Sequence, residues 1–457
     1  MTAKRFPEQP GLDEKYECAQ EDFITKHKAF LMRLKQEHFS EHFTEWKGWR
    51  EECIEHVDDP HQKRELRIHA LEELVDDGKF TERLWLRTVL YKMKKDEIAK
   101  VGKRPRMIGD LGVAASLQGF VYSKKMKLGM SERAIDFLGG TIEFCPKPSP
   151  DKLVSVFAKL KNPPGKFYFV YFSDDSCYAV RTPTGVRRFN VDISGCDASH
   201  TTALFEALRT VTPDCARECI DILIDQLQLP MRIVDINDKL NVLMLLPKGP
   251  KLYSGSTLTT LINNLANILI AISLFERNAM TPEQVSLAAS FVGYKVTVID
   301  ASENFHTTQF LKHSPVYDTD GNLRALLNLG VLMRMSGTCR GDLPGKGPIQ
   351  TRGTEFQSAL LRGAYPRVDF TLIRIMKTKS NTETRRKIMR MVNNLFTYKT
   401  SETEETFTIP DEEVYKRYGL SELEIASLHT AVDEMSFGYH YASNAVDKIL
   451  KTDYELG

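Results

Sequence analysis

The sequence predicts an α+β fold in which an antiparallel sheet sits between helix-rich ends. Three observations carry this. The stretch Lys166–Ile193 is dense in aromatic and β-branched residues broken only by short polar turns, whereas residues 13–100 and 314–457 carry apolar residues at helical spacing. The chain is 457 residues long, more than one hydrophobic core supports, so two to four lobes are expected. Hydrophobic content of 42% and charged content of 27% are those of an ordinary soluble globular protein.

Along the chain, Trp46, Trp49, Leu71, Leu74, Trp85, Leu86 and Leu90 suggest amphipathic helices over the first hundred residues. A basic segment, Lys92–Arg106, follows. Asp151–Leu160 reads as a helix that Asn162-Pro163-Pro164-Gly165 ends. Lys166–Thr182 reads as a β-hairpin with Ser173–Ser176 at its tip, Thr182-Pro183-Thr184-Gly185 as a turn, and Val186–Ile193 as the next strand. A helix is expected over Asp197–Leu208, another over 213–230, and a strand pair over Met231–Leu246. Lys248-Gly249-Pro250 leads to a loop at Gly255 and a long apolar helix, Thr257–Phe275. Pro282–Phe291 is expected as helix, Tyr294–Ile299 and Phe305–Lys312 as strands. The remainder reads as mostly helical, with Gly/Pro-rich connections at 341–353.

Net charge is +1, so bulk composition does not announce a nucleic-acid binder; the clustered cations of Lys92–Arg106 can still form a phosphate-binding stripe. The eight cysteines lack metal-site spacing and read as separate thiols. The N-terminus has no apolar h-region, which predicts no signal peptide. Leu258–Phe275, with Asn263, Asn264 and Asn267, reads as too short and too polar for an integral membrane segment.

Chemistry concentrates in three strings. YFSDDS (Tyr171–Ser176) and VDISGCD (Val191–Asp197) each place aspartate at the end of an apolar β-rich run. Asp174-Asp175 alone reads as a plain turn and Asp192 alone as a helix cap. On adjacent antiparallel strands, however, the acids would repel, and a divalent cation is the natural compensation. In the third string, YSGSTLTTLIN (Tyr253–Asn263), Gly255 supplies a flexible hinge, and Thr259 and Asn263 share one helical face.

These strings resemble the motifs of viral RNA-dependent RNA polymerases. SGSTLTTLIN matches motif B, DISGCD motif A, and SDD in its aromatic hairpin motif C. Lys94–Ile108 is similar to motif F, Gln309–His313 to motif E, and Gly293–Asp300 is a weak match to motif D with no lysine at the expected place; no motif G is found. The Asp-Asp pair precedes motif A instead of following motif B. The resulting C-A-B order resembles the permuted polymerases of the permutotetravirus and birnavirus type.

The resemblance implies a right-hand polymerase. Fingers would come from 1–166 and the insertion 203–250, an antiparallel palm from 167–202 and 251–313, and a thumb from 314–457. It implies that Asp174 and Asp192, supported by Asp175, hold two Mg²⁺ ions, with Mn²⁺ as an alternative. Asp197, Ser254, Gly255, Thr259 and Asn263 would sense the incoming ribose, and Lys103 and Arg106 the triphosphate. Lys95, Arg104, Phe310, Leu311 and Lys312 would touch RNA. Implied partners are an RNA template and nascent strand, ribonucleoside triphosphates, and a protein primer or other viral replication proteins, in the host cytoplasm. A reverse transcriptase or DNA polymerase is an alternative, disfavoured because Asp197 stands where a deoxynucleotide enzyme wants a bulky aromatic. A non-catalytic RNA-binding palm is the other.

Overall fold

The computed structural model describes residues 10–58, 68–72, 86–93, 107–235, 237–337, 347–365, 367–380, 406–434 and 443–454. Its centre is a six-stranded sheet in the order β10-β7-β6-β5-β4-β3. The strands are β3 (Ile135–Phe137), β4 (Gly140–Phe144), β5 (Phe167–Phe172), β6 (Asp175–Thr182), β7 (Gly185–Ile193) and β10 (Val296–Asp300). All neighbours are antiparallel except β4 and β5. Those two are joined by the helix Pro150–Lys161, because parallel strands need a crossover. Ser149 caps this helix by accepting from Lys152 N–H, and Pro150 occupies its first turn, where no N–H is needed.

Period-two alternation divides the sheet's side chains between two cores. Phe167, Phe169, Tyr171, Tyr178, Val180, Phe189, Val191 and Ile193 belong to the larger core, with the helix Thr259–Glu276. Tyr168, Val170, Cys177 and Ala179 face the other way, onto Leu153, Val156, Phe157 and Leu160 of Pro150–Lys161 and onto Phe310. By length and composition Thr259–Glu276 could cross a membrane, contrary to the sequence expectation; 83% of it is buried inside the protein, which makes it a core helix.

A second sheet, β2-β1-β8-β9, joins distant stretches. Its strands are β1 (Val89–Met93), β2 (Met107–Asp110), β8 (Met231–Val234) and β9 (Val242–Leu245), and β1 pairs in parallel with β8 at Val89↔Met231. A separate core draws on residues between Val316 and Ile449. It includes the hairpin β11 (His313–Tyr317) and β12 (Leu323–Leu327) and the helices Ile349–Ala364, Thr371–Lys379 and Asn444–Tyr454.

Four local expectations are corrected. Leu90 lies in strand β1, since Val89–Met93 finds an edge on β8. Phe305–Lys312 is a short 3₁₀ turn (Phe305–Thr307) followed by a tight reversal, and the strand begins at His313. The helix expected over Asp197–Leu208 is split into Cys196–Ser199 and Thr202–Val211, with extended backbone at His200. Residues 349–353 open a helix instead of forming a connection.

Candidate functional site

The two acidic strings meet because β6 and β7 are the arms of one hairpin. In their register Asp175 is the partner of Asp192, and Asp192 in turn faces Thr297 on β10. Directly opposed residues of antiparallel strands have Cα atoms about 4.5–5.5 Å apart and point to the same face. Asp174 lies in the two-residue turn between β5 and β6, where it is exposed.

Asp175 is pushed up to about 7, chiefly by burial, and Asp174 and Asp192 push the same way. The Leu311 N–H, which donates to Asp175 Oδ2 at 2.7 Å, and the nearby Lys312 ammonium oppose that shift. Burial also raises the Cys196 thiol well above its ordinary value, and the carboxylates of Asp174, Asp197 and Asp192 add to it.

The long helix grips the hairpin tip. Ser173 has φ +57, in the left-handed region that favours glycine, and is held from three sides. Its N–H donates to Asn264 Oδ1 at 2.7 Å, its carbonyl accepts from Asn267 Nδ2, and its hydroxyl lies 3.3 Å from Asn263 Nδ2. Asn263 Nδ2 also donates to Asp197 Oδ1 at 3.3 Å, and Asn263 Oδ1 meets His200 Nε2 at 2.7 Å. Sequence reading missed Asn264, Asn267 and His200 as site residues. The signal for the two asparagines was present as amides interrupting an apolar helix; His200 had none.

The loop before that helix is fastened elsewhere. Ser254 O accepts from Gly109 N–H at 3.1 Å, and Thr259 Oγ1 donates to Tyr253 O at 3.2 Å. Gly255 has φ +105 and is exposed; a Cβ there would lie 3.3 Å from Gly109 O. Gly109 cannot gain a side chain either, since its Cβ would fall 2.8 Å from Tyr253 Cβ. Strand β2 follows the basic segment directly, so the loop touches the strand that this segment leads into. Lys95, Lys103, Arg104 and Arg106 themselves lie outside the described residues.

Phe310, Leu311, Lys312 and His313 form a tight reversal closed by two backbone hydrogen bonds of 3.0 Å between Phe310 and His313. Leu311 (φ +50) and Lys312 (φ +61) both occupy the left-handed region, at a cost of about 1–2 kcal/mol each. Phe310 is fully buried against the sheet, so its ring is not open to RNA. Lys312 Nζ donates to Asp453 O at 3.0 Å and lies 5.1 Å from the Tyr454 ring. Lys295, in the segment matched to motif D, is exposed, and its carbonyl accepts from Ser194 N–H at 2.9 Å, two residues past Asp192.

Among the described residues, no cluster of three His, Cys, Asp or Glu side chains forms a ready-made metal cage. Mg²⁺ does not need one: it takes one or two protein carboxylates and completes its shell with water and substrate phosphates. The hard oxygen donors of Asp174 and Asp192 suit that ion, whereas Asp175 Oδ2 is already engaged by Leu311.

No family model and no curated protein matches the chain. Solved structures do. One is the birnavirus VP1–VP3 complex, with 12% identity, 76% of this chain and 49% of that chain covered, and a TM-score of 0.45. Another is the RNA polymerase VP1 from Infectious Pancreatic Necrosis Virus, with 11% identity, 89% and 54% covered, and a TM-score of 0.46. The chain spans about half the length of these structures, and at such scores the likeness bears on neither substrate nor chemistry.

Proposed function

We propose that this chain is an RNA-dependent RNA polymerase with permuted palm motifs, using Mg²⁺ in template-directed transfer of ribonucleotides for viral RNA replication. The observation that carries the reading is convergence. Asp175 opposes Asp192 across adjacent strands, and Asn263 of the third string joins Asp197 to the hairpin tip. Chain order does not matter to such a site, because metals and substrates respond to geometry.

In this reading strands β5, β6, β7 and β10 of the six-stranded sheet belong to the palm, and the core between Val316 and Ile449 to the thumb. The β1–β8 pairing unites the two fingers stretches. Bound Mg²⁺ would ease deprotonation of the primer 3′-hydroxyl and offset charge on the phosphates. Asp192 and Asp174 supply its donors, and Asp175, held by Leu311, fixes the hairpin floor. Lys103 and Arg106 would grip the triphosphate. Asp197 and Asn263 would meet the ribose 2′-hydroxyl.

A short homopolymer template tests this. The protein should incorporate only the complementary ribonucleotide, preferring it over its deoxy analogue by at least roughly 100-fold, a lower bound for a site built to hydrogen-bond a hydroxyl. Asp192→Ala should remove incorporation. Incorporation indifferent to template, or a preference for deoxyribonucleotides, would overturn the reading.

A further inference from the structure

Resting on the polymerase reading, we propose that His200 is a positioning residue for sugar selection, holding the Asn263 amide in the orientation that turns its NH₂ toward Asp197. A primary amide is nearly symmetric in shape, so packing alone does not decide which way it points. Flipped, Asn263 would set its carbonyl oxygen against the Asp197 carboxylate and the Ser173 hydroxyl. In the observed orientation the NH₂ reaches both acceptors at 3.3 Å, which leaves Oδ1 facing His200 Nε2 at 2.7 Å.

That contact requires Nε2 to carry the hydrogen. The other ring nitrogen, Nδ1, lies 3.0 Å from the Tyr294 hydroxyl, which can donate to it. The Asp197 carboxylate, which only accepts, fixes the direction of the relay: Asn263 donates to Asp197, His200 Nε2 donates to Asn263 Oδ1, and Tyr294 donates to His200 Nδ1. His200, Asn263 and Tyr294 are 1%, 2% and 0% exposed, so water does not substitute for any partner. Burial lowers the His200 pKa to about 4, which keeps the ring neutral and able to accept at Nδ1. The backbone is consistent with this: the chain leaves helix for extended backbone at His200, whose imidazole meets Asn263 of the long helix.

An imidazole that merely fills space would affect folding and turnover for both sugars alike. A positioning role affects the ratio. The test measures kcat/KM for a ribonucleotide and its deoxy analogue on one template with wild type, His200→Phe, His200→Gln, Tyr294→Phe and Asp192→Ala. His200→Phe should cut ribonucleotide preference about tenfold, the equivalent of one lost hydrogen bond, through a weaker ribonucleotide KM. His200→Gln, which keeps a donor and an acceptor, should recover most of it. Tyr294→Phe should shift the ratio the same way, and carries the test should His200→Phe not fold. An unchanged ratio in the folded Phe variants, or equal losses in His200→Phe and His200→Gln, overturns the positioning role while leaving the polymerase reading intact. Absence of template-directed incorporation by wild type, or full activity of Asp192→Ala, overturns the polymerase reading and this proposal with it.

Discussion

At the scale of single residues, burial sets the properties of the groups around the site. His200 and His313 are both held at about 4, chiefly by loss of hydration. Each folded-state pKa lies below the ordinary histidine value of about 6.5. As pH falls, the unfolded chain therefore binds protons first. Stability from these residues is full above about 6.5 and drains away down to about 4, by up to about 3 kcal/mol each. Denaturant unfolding at pH 7 and pH 5 should show the His200→Gln, His313→Gln double variant losing less stability on acidification than wild type. Parallel losses would contradict the burial argument.

At the scale of elements, the site depends on a helix holding a turn. Asn267 donates to Ser173 O and to Asn263 O, and so ties the hairpin tip to the turn of helix that carries Asn263. Asn267→Ala removes the donor to the half-buried Ser173 carbonyl, which costs about 0.5–1.5 kcal/mol, and loosens the turn carrying Asp174. Nucleotide incorporation should fall through kcat with little change in KM; full turnover in a folded variant would show that the clamp is idle. The hairpin was legible in the sequence because KFYFVYFSDDSCYAV alternates faces around a short polar tip. The reversal at Leu311-Lys312 was not, because neither residue is the Gly or Asn that positive φ ordinarily demands. Tertiary contacts, including the bond from Leu311 N–H to Asp175, hold it there. Asn264 and Asn267 were visible as polar interruptions, yet their target, a serine about ninety residues away in the chain, emerges only from packing. The break at His200 has no Gly or Pro to announce it.

At the scale of the molecule, a buried ion pair helps fasten the separate core that ends at Ile449 to the acidic site. Asp453, fully buried, accepts from Arg417 Nε at 3.0 Å, Tyr418 OH at 3.0 Å and Gly330 N–H at 2.8 Å. Arg417 reaches on to Thr307 O and Gln309 Oε1, at the base of the reversal that presents Leu311 to Asp175. Asp453→Ala removes one partner of a buried pair and should cost about 3–5 kcal/mol in denaturant unfolding, with loss of incorporation. A change below 1 kcal/mol would mean that the pair contributes nothing to the junction. Anomalous diffraction from crystals grown with Mn²⁺ and a ribonucleoside triphosphate decides whether strings in permuted chain order build one metal-dependent site. Manganese should be bound to both the Asp174 and Asp192 carboxylates and be absent in Asp192→Ala; triphosphate bound with no metal at these two residues would contradict such a site.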